Sequence, residues 1–71
     1  PMSTNLDKRP KVRTSGAALY TGLAESTLEK LRVSGDGPLY IRVGRVVVYD
    51  PDDLDAWLAA HKRRSTSNSI K

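Results

Sequence analysis

Two runs rich in β-branched and aromatic residues, Leu39–Val43 and Val46–Tyr49, are separated by only Gly44 and Arg45. A two-residue connection between such runs is a β-hairpin. Glycine at its first position suits a type II′ turn, in which that residue takes positive φ. The loop length then fixes the register. Val43 opposes Val46, Arg42 opposes Val47, Ile41 opposes Val48 and Tyr40 opposes Tyr49. Side chains alternate between faces, so Ile41, Val43, Val46 and Val48 share one face, expected to pack on the rest of the domain. Arg42, Val47 and the Tyr40–Tyr49 pair share the other, with Tyr49 itself expected in the core, and Arg45 occupies the exposed tip.

Helical patterns lie on both sides of this hairpin. After it, Asp50 is placed to cap a helix, Pro51 to take the first helical position, and Asp52 and Asp53 to complement the helix dipole. Leu54, Trp57, Leu58 and His61 follow at helical spacing, the first three expected in the core, with Lys62, Arg63 and Arg64 closing the helix. Before it, Thr14 or Ser15 can cap a short helix containing Ala17, Ala18 and Leu19, which Gly22 ends. A second helix is predicted over Glu25–Val33, with Ala24, Leu28 and Leu31 as an inward stripe and Glu25, Ser26, Glu29 and Lys30 outside. Residues 34–38 read as a loop. Two helices joined through a tight glycine turn form a helix-turn-helix. Adding the two-stranded hairpin as a wing, and a C-terminal helix, gives a small α+β winged helix-turn-helix over residues 13–62.

The chain of 71 residues allows one domain at most, with little core to bury. Pro1 ahead of Met2 reads as a residue left by tag cleavage and is set aside. With no cysteine and one histidine, disulfides and thiolate metal sites are excluded, no cofactor is expected, and a reducing cytoplasm is the natural setting. The longest apolar run, Val46-Val47-Val48, falls far short of the ~20 residues of a membrane span. The four aspartates 50, 52, 53 and 55 lack the glycine and closing glutamate of a calcium loop and read as capping and dipole residues. The chain is not read as an enzyme.

Net charge is +4, and its positive part lies in flanking segments. Residues 1–12 form a polar arm without periodicity, carrying Lys8, Arg9 and Lys11, and Arg13 follows it. Residues 63–71 form a basic, serine-rich tail that starts with Arg63 and Arg64 directly after Lys62. The middle of the chain is slightly acidic. Basic arms on a small domain suit a polyanion such as nucleic acid, although short basic tails also simply keep proteins dissolved.

Residues 14–58 resemble the excisionase and AlpA-like group of MerR-related winged helix-turn-helix domains. The resemblance is carried by Ala17-Ala18 through Gly22-Leu23, by Ser26-Thr27-Leu28, and by Val43-Gly44-Arg45 with Tyr49 and Asp53-Leu54-Asp55-Ala56-Trp57-Leu58. The last block is the most specific of the three. The chain departs from the group at Ala24, where serine usually caps the recognition helix, at Glu25, often basic, and at Val46 and Val48, where the wing commonly carries arginine.

The resemblance implies double-stranded DNA as partner, with Glu25, Ser26, Thr27, Glu29 and Lys30 of the recognition helix towards the major groove. The competing reading for Glu25 and Glu29 is a solvated helix face, and for Thr27 packing beneath the helix. Arg45 would enter the minor groove with Arg42 on a nearby phosphate, and Lys8, Arg9, Lys11, Arg13, Lys62, Arg63 and Arg64 would add backbone contacts. Members of the group act as excisionases, which bind attachment sites as adjacent copies, bend the DNA and steer an integrase towards excision. Others regulate promoters. A third possibility, from another class, is a protein-interaction module whose acidic middle binds a basic partner. No small-molecule ligand and no membrane are implied.

Overall fold

The computed structural model describes residues 9–64. These form a small α+β domain with the order β1 (Val12–Arg13), α1 (Thr14–Thr21), α2 (Glu25–Ser34), β2 (Ile41–Val43), β3 (Val46–Tyr49) and α3 (Pro51–Ala60). The sheet is three-stranded and antiparallel in the order β1-β3-β2. Lys8, most of the expected arm and residues 65–71 of the expected tail lie outside the described residues.

The hairpin register matches the one set by the loop: Val43 pairs with Val46, Arg42 with Val47 and Ile41 with Val48. Gly44 has φ of 61° and no other residue of the turn has positive φ, as a type II′ turn requires. The third strand was not expected. Val12 pairs with Tyr49 and Arg13 with Val48, so the unstructured arm read through residue 12 is corrected at Val12. A two-residue strand carries no periodic signal of its own, and β3 supplies its partner.

Tyr49 lies in the core as expected, but the hairpin face that carries Val47, not the one that carries Val43 and Ile41, packs with it. Tyr49 is fully buried and Val47 packs against the core, whereas Val43 is 66% and Ile41 40% exposed. Val46-Val47-Val48 is apolar on both faces, so alternation alone does not choose between them. The choice comes from α3. Tyr49 immediately precedes the Asp50 cap and Leu54 is the fourth helical residue, and both are fully buried in one cluster, the arrangement of a hydrophobic staple. With Tyr49 fixed inward, period two takes Val47 and Arg42 with it.

Ala17, Ala18, Leu28, Tyr49 and Leu54 make up the core, with Val12, Leu23 and Val47 packed around it. Leu28 is buried as the α2 stripe requires, Leu31 is half-buried and Ala24 is exposed, because Ala24 sits in extended backbone ahead of the helix. Gly22, at φ of 80°, ends α1 and sends its N–H to the Ala18 carbonyl at 2.9 Å. The α1 cap position is Arg13 rather than Thr14 or Ser15, since the helix leaves β1 directly and the Thr14 hydroxyl instead meets Arg32.

α3 begins as read: the Asp50 carboxylate accepts from the Asp52 N–H at 2.9 Å and Pro51 follows it. It ends sooner. His61 ring Nδ1 lies 2.8 Å from the Trp57 carbonyl, so it carries the proton, while the His61 backbone N–H turns to Leu58. Lys62, Arg63 and Arg64 therefore lie beyond the helix, with Arg63 reaching back to the Lys62 carbonyl at 3.1 Å. Trp57, expected in the core, is half-buried and ties α3 to the loop after α2 through an indole N–H bond to the Asp36 carbonyl at 2.9 Å. No helix among the described residues is long and apolar enough to cross a membrane.

Candidate nucleic-acid interface

Arg32 and Val33 near the end of α2 face the β2–β3 hairpin across a groove. One stretch, of about 370 Å³, is walled by Arg32, Val33, Tyr40, Arg42, Arg45 and Val47. A second, of about 300 Å³, continues towards the start of α1, where Arg13, Thr14 and Glu25 join Arg32 and Arg45. Four arginines thus line this side against one carboxylate, which makes it attractive to a polyanion.

The residues singled out in the sequence divide by position. Arg13, Glu25, Arg42 and Arg45 line the groove. Ser26, Thr27, Glu29 and Lys30 are all exposed on α2, so Thr27 does not pack beneath the helix. The Arg42 guanidinium folds back to the Gly44 carbonyl at 3.4 Å.

Arg9 and Lys11 lie elsewhere, against α3. Arg9 Nη2 meets the carboxylates of Asp52 at 2.7 Å and Asp55 at 2.6 Å, and its Nη1 donates to the Tyr20 hydroxyl at 2.6 Å. Tyr20 in turn donates to Asp55 at 2.6 Å. Lys11 pairs with Asp50 at 3.5 Å. The aspartates read as capping residues therefore also fasten the N-terminal segment, and the signal was the opposite charge of the two segments.

These contacts shift the groups involved. The Tyr20 hydroxyl and then the Arg9 guanidinium hold the Asp55 carboxyl below its ordinary value. The Asp52 backbone N–H, with Lys11 adding to it, does the same for Asp50. The hydrogen bond to Asp55 pushes the Tyr20 phenol up, and those to Asp52, Asp55 and Tyr20 raise Arg9 further.

Arg32 is the groove residue that sequence reasoning left without a role. It is half-buried, with Nη1 2.7 Å from the Tyr49 hydroxyl and 3.3 Å from Thr14 Oγ1, and its guanidinium lies over the Tyr40 ring at 5.8 Å. The tyrosine pair is formed as the register implied, ring centroids 6.3 Å apart. The inward turn of Tyr49 brings its hydroxyl to Arg32. Among the described residues no group of three or more metal-ligating side chains is gathered. No protein-family model matches the chain, and no curated protein matches its sequence.

Proposed function

We propose that the domain is a winged helix-turn-helix that binds double-stranded DNA, with α2 as recognition helix and the β2–β3 hairpin as wing. The observation that carries this reading is the convergence of Arg13, Arg32, Arg42 and Arg45 on the groove between those two elements, against Glu25 alone. Exposed Ser26, Thr27, Glu29 and Lys30 beside it offer donors and acceptors to base edges. Lys62, Arg63 and Arg64, past the end of α3, supply further phosphate contacts.

Within DNA binding, the resemblance to excisionases favours an architectural role, with several copies on attachment-site DNA bending it for an integrase. Smooth bending costs on the order of 1–6 kcal/mol, which contacts from several copies jointly offset. With Arg9 and Lys11 matched by aspartates, one copy keeps fewer cations for DNA than the sequence count suggests.

A gel-shift titration tests this with DNA flanking the gene, including the attachment site of the nearest integrase gene and the gene's own promoter. Cooperative ladders on attachment-site DNA support the excisionase reading. A shift confined to promoter DNA moves the assignment to an AlpA-like regulator. Absence of any shift overturns DNA binding.

A further inference from the structure

We propose that Arg32 is the centre of a seat for one phosphate oxyanion, with Arg13 and Arg45 as flanking cations and Tyr49 and Thr14 as positioning residues. The source of the phosphate, a diester of the DNA backbone, rests on the DNA-binding reading, whereas the seat itself does not.

Arg32 carries an unmatched charge. Removing a guanidinium from water is costly unless an anion or a full set of acceptors replaces the water. Arg32 is half-buried, yet its partners are the Tyr49 hydroxyl, the Thr14 hydroxyl and the Tyr40 ring, all neutral. Among the described residues no carboxylate lies within ion-pairing distance of it, although the same domain pairs Arg9 and Lys11 with aspartates. The surroundings orient the cation without neutralising it.

The orientation is firm, because Tyr49 is fully buried in the core, pairs with Val12 of β1 and belongs to the central strand of the sheet. Arginine carries five donors in a planar fork, and only Nη1 is engaged by protein acceptors. That leaves donors for two oxygens of a tetrahedral oxyanion, the geometry for which a guanidinium is suited. The adjoining groove of about 300 Å³ is roughly ten times the ~30 Å³ share of a water molecule, so it admits a hydrated oxyanion. Arg13 and Arg45 on its walls outweigh Glu25, which favours phosphate over a single carboxylate.

The test uses the full chain. Arginine side-chain N–H resonances are followed during titration with inorganic phosphate, then with a short duplex. Duplex affinity is measured across salt concentrations for wild type, Arg32→Gln, Arg32→Lys and Tyr49→Phe, with a thermal melt of each. The Arg32 resonance is expected to shift with both probes. Arg32→Gln should lower duplex affinity about tenfold and reduce the salt slope by about one. Arg32→Lys, which still satisfies the Tyr49 hydroxyl and so guards against misfolding, should also weaken binding, and Tyr49→Phe should fall between. A purely structural Arg32 would lower the melting temperature and leave the salt slope at the wild-type value, which overturns the seat while leaving DNA binding intact. An Arg32 resonance silent to phosphate also overturns it. A response to phosphate without duplex binding supports the seat and overturns the backbone as its source.

Discussion

Asp55 and Arg9 stand 46 residues apart in the chain and 2.6 Å apart in the fold. Tyr20, from α1, completes the cluster by bonding both of them. The contact fastens the segment ahead of β1 to α3 and holds Val12 where it can pair with Tyr49. It also commits a cation that the sequence offered to DNA. Individually such exposed ion pairs contribute little, and their effect here is on which residues remain available for an external anion.

The cluster gives the domain a dependence on pH at both ends. Asp55 and Asp50 sit below the ordinary carboxylate value in the fold. Their contribution is present above the unfolded value of about 3.9 and is lost as pH falls through the lower folded value. Tyr20 is raised, so its contribution is present below about 10 and is lost as pH rises through the folded value. Thermal melts across pH should show Asp55→Asn with a shallower acid limb than wild type and Tyr20→Phe with a shallower alkaline limb. Superimposable limbs would contradict the network.

The inward face of the hairpin is testable by paired substitutions. Val47→Thr places a hydroxyl against the core and should cost about 1–2 kcal/mol in urea unfolding. Val43→Thr, at a position 66% exposed, should stay within about 0.5 kcal/mol of wild type. Equal losses, or the reverse order, would contradict the assignment of faces.

Leu54 has no exposed surface and packs with Tyr49, Leu28 and the α1 alanines. Leu54→Ala should cost about 2–5 kcal/mol, approaching the ~5 kcal/mol total of a marginal domain. Circular dichroism should show it largely unfolded near 37 °C. A melting temperature within a few degrees of wild type would mean that the helix is not part of the core.

Arg45→Ala and Lys30→Ala should each weaken duplex binding by about 1–3 kcal/mol without changing the melting temperature appreciably. Unchanged affinity in both variants would remove the hairpin tip and α2 from the interface.

Much of the architecture was legible in residues whose chemistry leaves few options. Gly44-Arg45 set the hairpin register, Gly22 the break between the first helices, and Asp50-Pro51 the start of α3. What was not legible depended on distant partners. Val12–Arg13 is a strand only because β3 is beside it. The inner face of β3 follows from the Tyr49–Leu54 contact, whose two residues stand in the sequence at the spacing of a staple. Arg32 had no role in the sequence because its partners, Thr14 and Tyr49, lie 18 and 17 residues away. For Arg9 and Lys11, formal charge was visible, and its pairing with Asp50, Asp52 and Asp55 was not.

The most direct measurement is a backbone amide NMR titration of the domain with duplex DNA at low and at moderate salt. The account predicts shifts concentrated on Glu25–Lys30, Arg32, Arg42–Arg45 and Arg13, with affinity falling steeply as salt rises. Shifts confined to the Asp52–Asp55 face and Tyr20, or none at low salt, would contradict it.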